Sequence, residues 1–232
     1  MANFDNEERE RRILDAAADL FVHYGFDKTT VSDIAREAGI SKGAIYLHFT
    51  SKDSLFEALM VREMRTYAET WFELLEADPA GGTIAAMYKN SLYALNSSPF
   101  MAAMFRQDGR ILGNYLRKPD NFFRTYRAQQ TESDRYVFVK MMQETGTVRQ
   151  DIDARVIAHI MDMLAFGLVS MDDILPKENM PPFEDIIEGI AAIMDKALTP
   201  ADGGNPEAGR EVLRQIVEAA RQQFEVMNRP QP

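Results

Sequence analysis

The chain has 232 residues, no cysteine and a formal net charge of −10, with 46% hydrophobic and 27% charged residues. The lack of cysteine excludes disulfides, thiolate metal sites and a cysteine nucleophile, and no run reaches the ~18 uninterrupted apolar residues that a membrane-spanning helix needs. This is the composition of an ordinary soluble globular protein of one or two domains; the charged N-terminus, MANFDNEERERR, has no apolar stretch of the secretory kind, so the expected location is the cytoplasm.

Taken in order, residues 7–24 form the first expected helix, with Ile13, Leu14, Ala17, Leu20 and Phe21 as its inner stripe and Gly25 as its stop. Thr30 and Asp33 have the spacing of a capping box, and Val31, Ile34, Ala35 and Ala38 fall on one helical face behind it. Gly39 can take the left-handed conformation that ends a helix. Ser41 is then an N-cap for a further helix, with Ile45 and Phe49 one turn apart as its buried side. Helix, short glycine-containing turn, helix is the pattern of a helix-turn-helix, with a plain αα-hairpin as the lesser alternative.

The outward face of that last helix favours the first reading. With Ile45 inward, a step of ~100° per residue puts Gly43 and Leu47 opposite, Lys42 and Tyr46 on one flank, and Ala44 and His48 on the other. Glycine lets a backbone approach base edges, and Leu47 or Ala44 can touch thymine methyl groups in a major groove. Lys42, Tyr46 and His48 would then flank the helix where phosphates lie. Residues 28–52 hold four cations and two anions, a modest basic footprint in an acidic chain. Helix starts at Val31, Lys42 and Lys52 add backbone N–H donors for phosphates.

Thr50 or Ser51 caps a fourth helix running to about Ala77, before Pro79–Gly82 breaks the chain. Further helices are expected over 83–96, 99–107, 109–117 and 121–145, then from Asp151 or Asp153 to about Asp172, and over 183–198. A loop at 175–182 and a linker at 199–209 separate the last of these, and 210–228 forms a final helix. Nothing reads as a strand, so the fold class is all-α. The apolar stripes of 153–171 and 183–198 are too wide for surface helices and call for burial on more than one side, in a core or against a second copy. Residues 60–166 are rich in Met and aromatic side chains, a lining that suits either a core or a cavity for an apolar ligand.

Residues 10–56 resemble the DNA-binding domain of the tetracycline-repressor (TetR) family of transcriptional regulators. The matching run includes Ile13–Ala17, Leu20-Phe21, Tyr24–Phe26, Thr29–Val31, Ile34-Ala35, Ala38–Gly43, Ile45-Tyr46, His48-Phe49 and Ser51-Lys52. The resemblance implies a helix-turn-helix domain over 1–52, a helical ligand-binding and dimerisation domain over 53–200, and a remainder, 201–232, of linker and C-terminal helix with no family role. It implies a homodimer on palindromic double-stranded DNA, most simply a repressor released by a small apolar or amphipathic effector. The alternative is a TetR-like protein without an inducer, acting through a protein partner or by organising DNA. The candidate DNA-binding residues are Thr29, Thr30, Ser41, Lys42, Gly43, Ala44, Tyr46, Leu47, His48 and Lys52. The candidate ligand-binding residues are Met64, Tyr67, Trp71, Met87, Met104, Phe105, Phe122, Met142, His159 and Asp162.

Enzyme readings find little support. The histidines, His23, His48 and His159, are scattered, none follows a Glu three residues earlier, and there is no glycine-rich phosphate loop or G-x-S-x-G. His159 and Asp162 share a helical face, more in the manner of a polar pair or ligand contact than of a metal site. No catalytic residue, cofactor or metal is expected.

Overall fold

The computed structural model describes residues 2–171, 176, 178 and 180–227. These form α1 (Ala2–Lys28), α2 (Val31–Glu37), α3 (Lys42–Tyr46), α4 (Lys52–Ala77), α5 (Ile84–Asn96), α6 (Pro99–Arg106), α7 (Gly109–Leu112), a 3-10 helix (Gly113–Arg117), α8 (Phe122–Gln129), α9 (Asp134–Glu144), α10 (Ala154–Ser170), α11 (Phe183–Leu198) and α12 (Pro206–Met227). There is no strand among the described residues, and no helix there is long and apolar enough to cross a membrane. The loop expected over 175–182 and the last residue of the helix expected over 210–228 lie partly or wholly outside the described residues.

The chain forms two compact units. The first comprises residues up to Met64 together with Ser98–Gln129. Its core is built on Ile13, Ala17 and Phe21 of α1, Ile34 of α2, Ile45 of α3 and Leu55, Phe56, Leu59 and Met60 of α4, all buried. Gly25 breaks α1 with φ 79°, a left-handed conformation open to glycine, and Phe26 turns inward behind it. The Phe56 ring meets Phe21 and Phe26 at 4.8 Å each, Tyr115 at 4.9 Å and Phe100 at 5.6 Å, all edge-on. Edge-to-face pairs of this kind contribute about 0.5–1.5 kcal/mol each beyond their buried area. Residues 98–129 thus share one core with the helix-turn-helix.

Two expected helices are interrupted. Over 109–117, Gly113 adopts φ 53°, ψ −139°, outside helical geometry, and the following N–H, of Asn114, donates to the Asp27 carboxylate at 3.1 Å. Over 121–145, the Ser133 hydroxyl accepts from the Tyr136 N–H and starts a new helix, α9, leaving 130–133 outside both. At Ser133 a local cap wins over continued periodicity, and at Gly113 a contact with α1 does.

The second unit comprises Arg65–Ser97 and the chain from Gln130 onward. Met87, Tyr88 and Leu92 of α5, Met142 of α9, Ile157 and Met161 of α10 and Ile187 and Met194 of α11 are buried in it. The Tyr88 hydroxyl donates to the Met161 carbonyl at 2.5 Å, and the Trp71 Nε1–H donates to the Met87 carbonyl at 2.9 Å. On α10, Val156, Ile160, Met163 and Phe166 recur at three- and four-residue steps and are exposed, as is Ile193 of α11.

Candidate nucleic-acid interface

The helix-turn-helix is held by short-range polar contacts. Thr30 caps α2: its hydroxyl accepts from the Asp33 N–H at 3.2 Å and donates to Asp33 Oδ2 at 2.6 Å, while the Thr30 N–H donates back to that carboxylate at 3.2 Å. These bonds from Thr30, with Arg36 nearby, hold the Asp33 carboxyl below the ordinary carboxylate range. Ser41 caps α3 by accepting from the Ala44 N–H at 3.1 Å. Arg12 of α1 donates to the Ala38 carbonyl beside the Gly39 turn, a clamp that sequence reading did not single out. Its only signal was a cation one helical turn from the inner stripe.

α3 presents a bare face. Leu47 is 83% exposed, Tyr46, Lys42 and Gly43 are exposed, and Ala44 is half-buried. A Cβ on Gly43 would meet nothing nearer than the Ser41 hydroxyl at 3.9 Å. No neighbour among the described residues therefore requires glycine at that position. The Lys42 ammonium lies 6.0 Å from the Tyr46 ring centroid, at the long limit of a cation–π contact. Thr30 and Ser41 are exposed at their caps.

Three of the candidate residues sit elsewhere. Thr29 is 2% exposed, its hydroxyl donating to the Gly25 carbonyl at 2.9 Å, so its role is to close the end of α1. The His48 side chain is only 4% exposed and turned toward Glu10, with Nδ1 3.8 Å from the carboxylate. Lys52 donates to the carbonyls of Phe26 at 2.7 Å and Thr29 at 3.1 Å. Burial pushes its ammonium below the usual lysine range, against the opposing pull of Asp27 and Asp53. All three position the motif rather than reach outward from it.

The ligand candidates divide between the units. Met64, Met104, Phe105 and Phe122 belong to the first, and Tyr67, Trp71, Met87, Met142, His159 and Asp162 to the second. Met87, Met104 and Met142 are buried, while Met64, Tyr67, Trp71, Phe105 and Phe122 are half-buried. His159 is exposed, on the solvent side of α10, and so does not face the interior of its unit. Asp162 accepts from Arg135 Nε at 2.6 Å, and the Arg135 guanidinium lies 5.5 Å from the Tyr88 ring centroid. Among the described residues no group of three or more His, Cys, Asp or Glu side chains could hold a metal ion.

A capped helix-turn-helix whose second helix buries Ile45 and leaves its outer face bare is the arrangement with which DNA-binding proteins set a helix in the major groove. Residues 13–59 match the family model for bacterial regulatory proteins of the tetR family. The HTH-type transcriptional repressor Rv1474c of Mycobacterium tuberculosis is 27% identical over 167 residues, spanning 70% of this chain and 81% of that protein. The HTH-type transcriptional repressor KstR2 of Rhodococcus jostii is 29% identical over 153 residues, spanning 62% of this chain and 70% of its own. The fold is also that of the transcriptional regulator FadR from Bacillus subtilis, solved in complex with stearoyl-CoA, with a TM-score of 0.58 and 17% identity over 79% of this chain and 96% of that one. Residues 13–59 thus form a DNA-binding domain of the tetR family of bacterial regulatory proteins, and the relatives that match most of the chain are transcriptional repressors.

Proposed function

We propose that the chain is a cytoplasmic repressor that binds a palindromic operator as a homodimer and leaves it when a small apolar or amphipathic ligand binds. The observation that carries the DNA reading is the pairing of exposed Leu47 with Gly43, whose missing side chain serves no neighbour among the described residues. Gly43, Ala44 and Leu47 read base edges, and Lys42 and Tyr46, with the caps at Thr30 and Ser41, hold phosphates. Thr29, His48 and Lys52 keep α3 at its angle.

The dimer reading is supported by the exposed stripe Val156, Ile160, Met163 and Phe166 of α10 and by Ile193 of α11. Apolar surface of this length on two helices suits an isologous contact with a second copy, and two-fold symmetry suits a palindrome. The DNA-binding task lies in the unit that holds α1 to α3, and the dimer contact in the unit that holds α10 and α11. The ligand reading is supported by the repressors among the relatives and by the acyl-CoA held by the Bacillus subtilis regulator. Met64, Met104, Phe105 and Phe122 are the candidates within the first unit, and Tyr67, Trp71, Met87, Met142 and Asp162 those within the second.

The test is anisotropy of a labelled duplex selected from a random pool, titrated with protein and then with a panel of acyl-CoA and other amphipathic ligands. Saturable binding reversed by one of them is the expected result. Binding that no ligand reverses would favour the regulator without an inducer, and failure to select any duplex would remove the DNA reading itself.

A further inference from the structure

α12 starts in a built contact and continues over an open groove. The Thr147 hydroxyl donates to the Asn205 carbonyl at 2.8 Å, and Arg210 Nη2 donates to the Pro79 carbonyl at 2.6 Å. A Cβ on Gly82 would run into the Pro206 carbonyl, and one on Gly209 into the Gly82 carbonyl. The two backbones therefore meet at a pair of positions that only glycine fits. This accounts for GG and AG at sites where a flexible linker would serve equally well by composition.

Farther along, α12 and the second half of α4 leave a groove of about 320 Å³ between them. Trp71 and Phe72 form one wall and Ile216, Val217, Ala220 and Phe224 the other. That volume lies at the small end of the ~300–1,000 Å³ usual for ligand sites. Arg65, Glu69 and Arg221 also line it. The Arg65 charge is answered by Glu69 at 3.0 Å. Arg221 stands 5.9 Å from the Phe72 ring centroid and makes no salt bridge among the described residues. An apolar trough thus carries one cation with no salt-bridge partner among the described residues, a planar guanidinium whose paired N–H groups match a carboxylate.

We propose that the α4–α12 groove binds a small anionic amphiphile, a medium-chain monocarboxylate. Its chain lies between the aromatic wall of α4 and the aliphatic wall of α12, and its carboxylate meets Arg221. Trp71 is shared with the effector candidates above, so the test relies on Ala220→Phe and Arg221→Gln, on α12, which belong to this groove alone.

Trp71 is the only tryptophan of the chain, so its emission reports occupancy of the groove directly. The experiment titrates the full-length protein with decanoate, below its micelle-forming concentration, and with decylamine as the cationic control. Decanoate is expected to change Trp71 emission saturably and decylamine to bind at least about fivefold more weakly, the preference expected of a part-exposed ion pair. Arg221→Gln should abolish that preference, and Ala220→Phe, which fills the groove, should abolish the response with helical circular dichroism unchanged. Absence of a saturable change, equal binding of both amphiphiles by the unaltered protein, or full decanoate affinity in Ala220→Phe would overturn the proposal. A fall in sedimentation mass on Ala220→Phe would also overturn it, assigning the groove to a second copy of the chain. If Ala220→Phe does not fold, the charge preference and its loss in Arg221→Gln decide the matter alone.

Discussion

The Lys52 ammonium stands 4.0 Å from the centroid of the Phe26 ring and donates to the carbonyl of that same residue at 2.7 Å. The first turn of α4 is thereby tied to the carbonyl end of α1, where a cation is favoured by the helix dipole. Lys52→Met should lower stability by about 1–3 kcal/mol, the cost of unpairing part-buried carbonyls. It should leave the salt dependence of DNA binding unchanged. Lys42→Ala should do the reverse, with the melting temperature unmoved and the slope of log K against log salt shallower by about one. Thermal melts and salt titrations of both variants check this.

Gly43 and Leu47 should separate binding from stability. Gly43→Ala has open space for its Cβ and should hold or raise stability, by up to about 1 kcal/mol of helix propensity. Its DNA affinity should fall because the backbone can no longer approach as closely. Leu47→Ala removes an exposed side chain, so stability should change by less than about 0.5 kcal/mol. Its preference at the contacted base pair should change by about 1–3 kcal/mol. Duplexes carrying single base substitutions, measured with both variants, provide the check.

The helix-turn-helix was legible in the sequence because its determinants are local. The Thr30–Asp33 box, the Ser41 cap and the apolar positions of α2 all lie within one or two turns of one another. The docking of residues 98–129 on this core was not legible, since it depends on pairs such as Asp27 and Asn114, 87 residues apart. His48 was expected on an outer flank by continuing the helical step through it. α3 ends at Tyr46 with Leu47 as its cap, so the periodicity stops and the ring turns in toward Glu10. His159 misled for a different reason: it lies among outward apolar residues, and a wide stripe does not by itself say which edge faces its own unit.

The exposed face of α10 should control assembly. Met163 is 61% exposed and Ile193 of α11 66%, so a charge at either position is harmless to an isolated subunit. Met163→Glu and Ile193→Glu should each give monomers with unchanged helical content, and weaker operator binding because a monomer has half the contacts. Sedimentation equilibrium and circular dichroism together check this; persistence of a dimer in the double variant would place the contact elsewhere.

Tyr88 makes stability depend on alkaline pH. Burial above all pushes its hydroxyl up to about 12, with Arg135 opposing the shift and Asp162 adding to it. The folded protein therefore holds this proton more tightly than the unfolded chain, whose tyrosines titrate near 10. The corresponding stability is fully present below about pH 10 and is lost as the pH rises to about 12. Tyr88→Phe should lower stability by about 1 kcal/mol at neutral pH and flatten the decline across that alkaline window. Denaturant midpoints measured against pH for both proteins check the sign.

The most direct measurement is enrichment of random duplexes by the full-length protein and by Leu47→Asp in parallel. The unaltered protein should enrich a two-fold symmetric site with half-sites about 34–36 Å apart, one turn of the duplex. Leu47→Asp, with its charge at the crest of α3, should lose that site while keeping its melting temperature. Enrichment of an asymmetric sequence, or of the same sequence by both proteins, would contradict the assignment of α3 as the reading helix of a symmetric dimer.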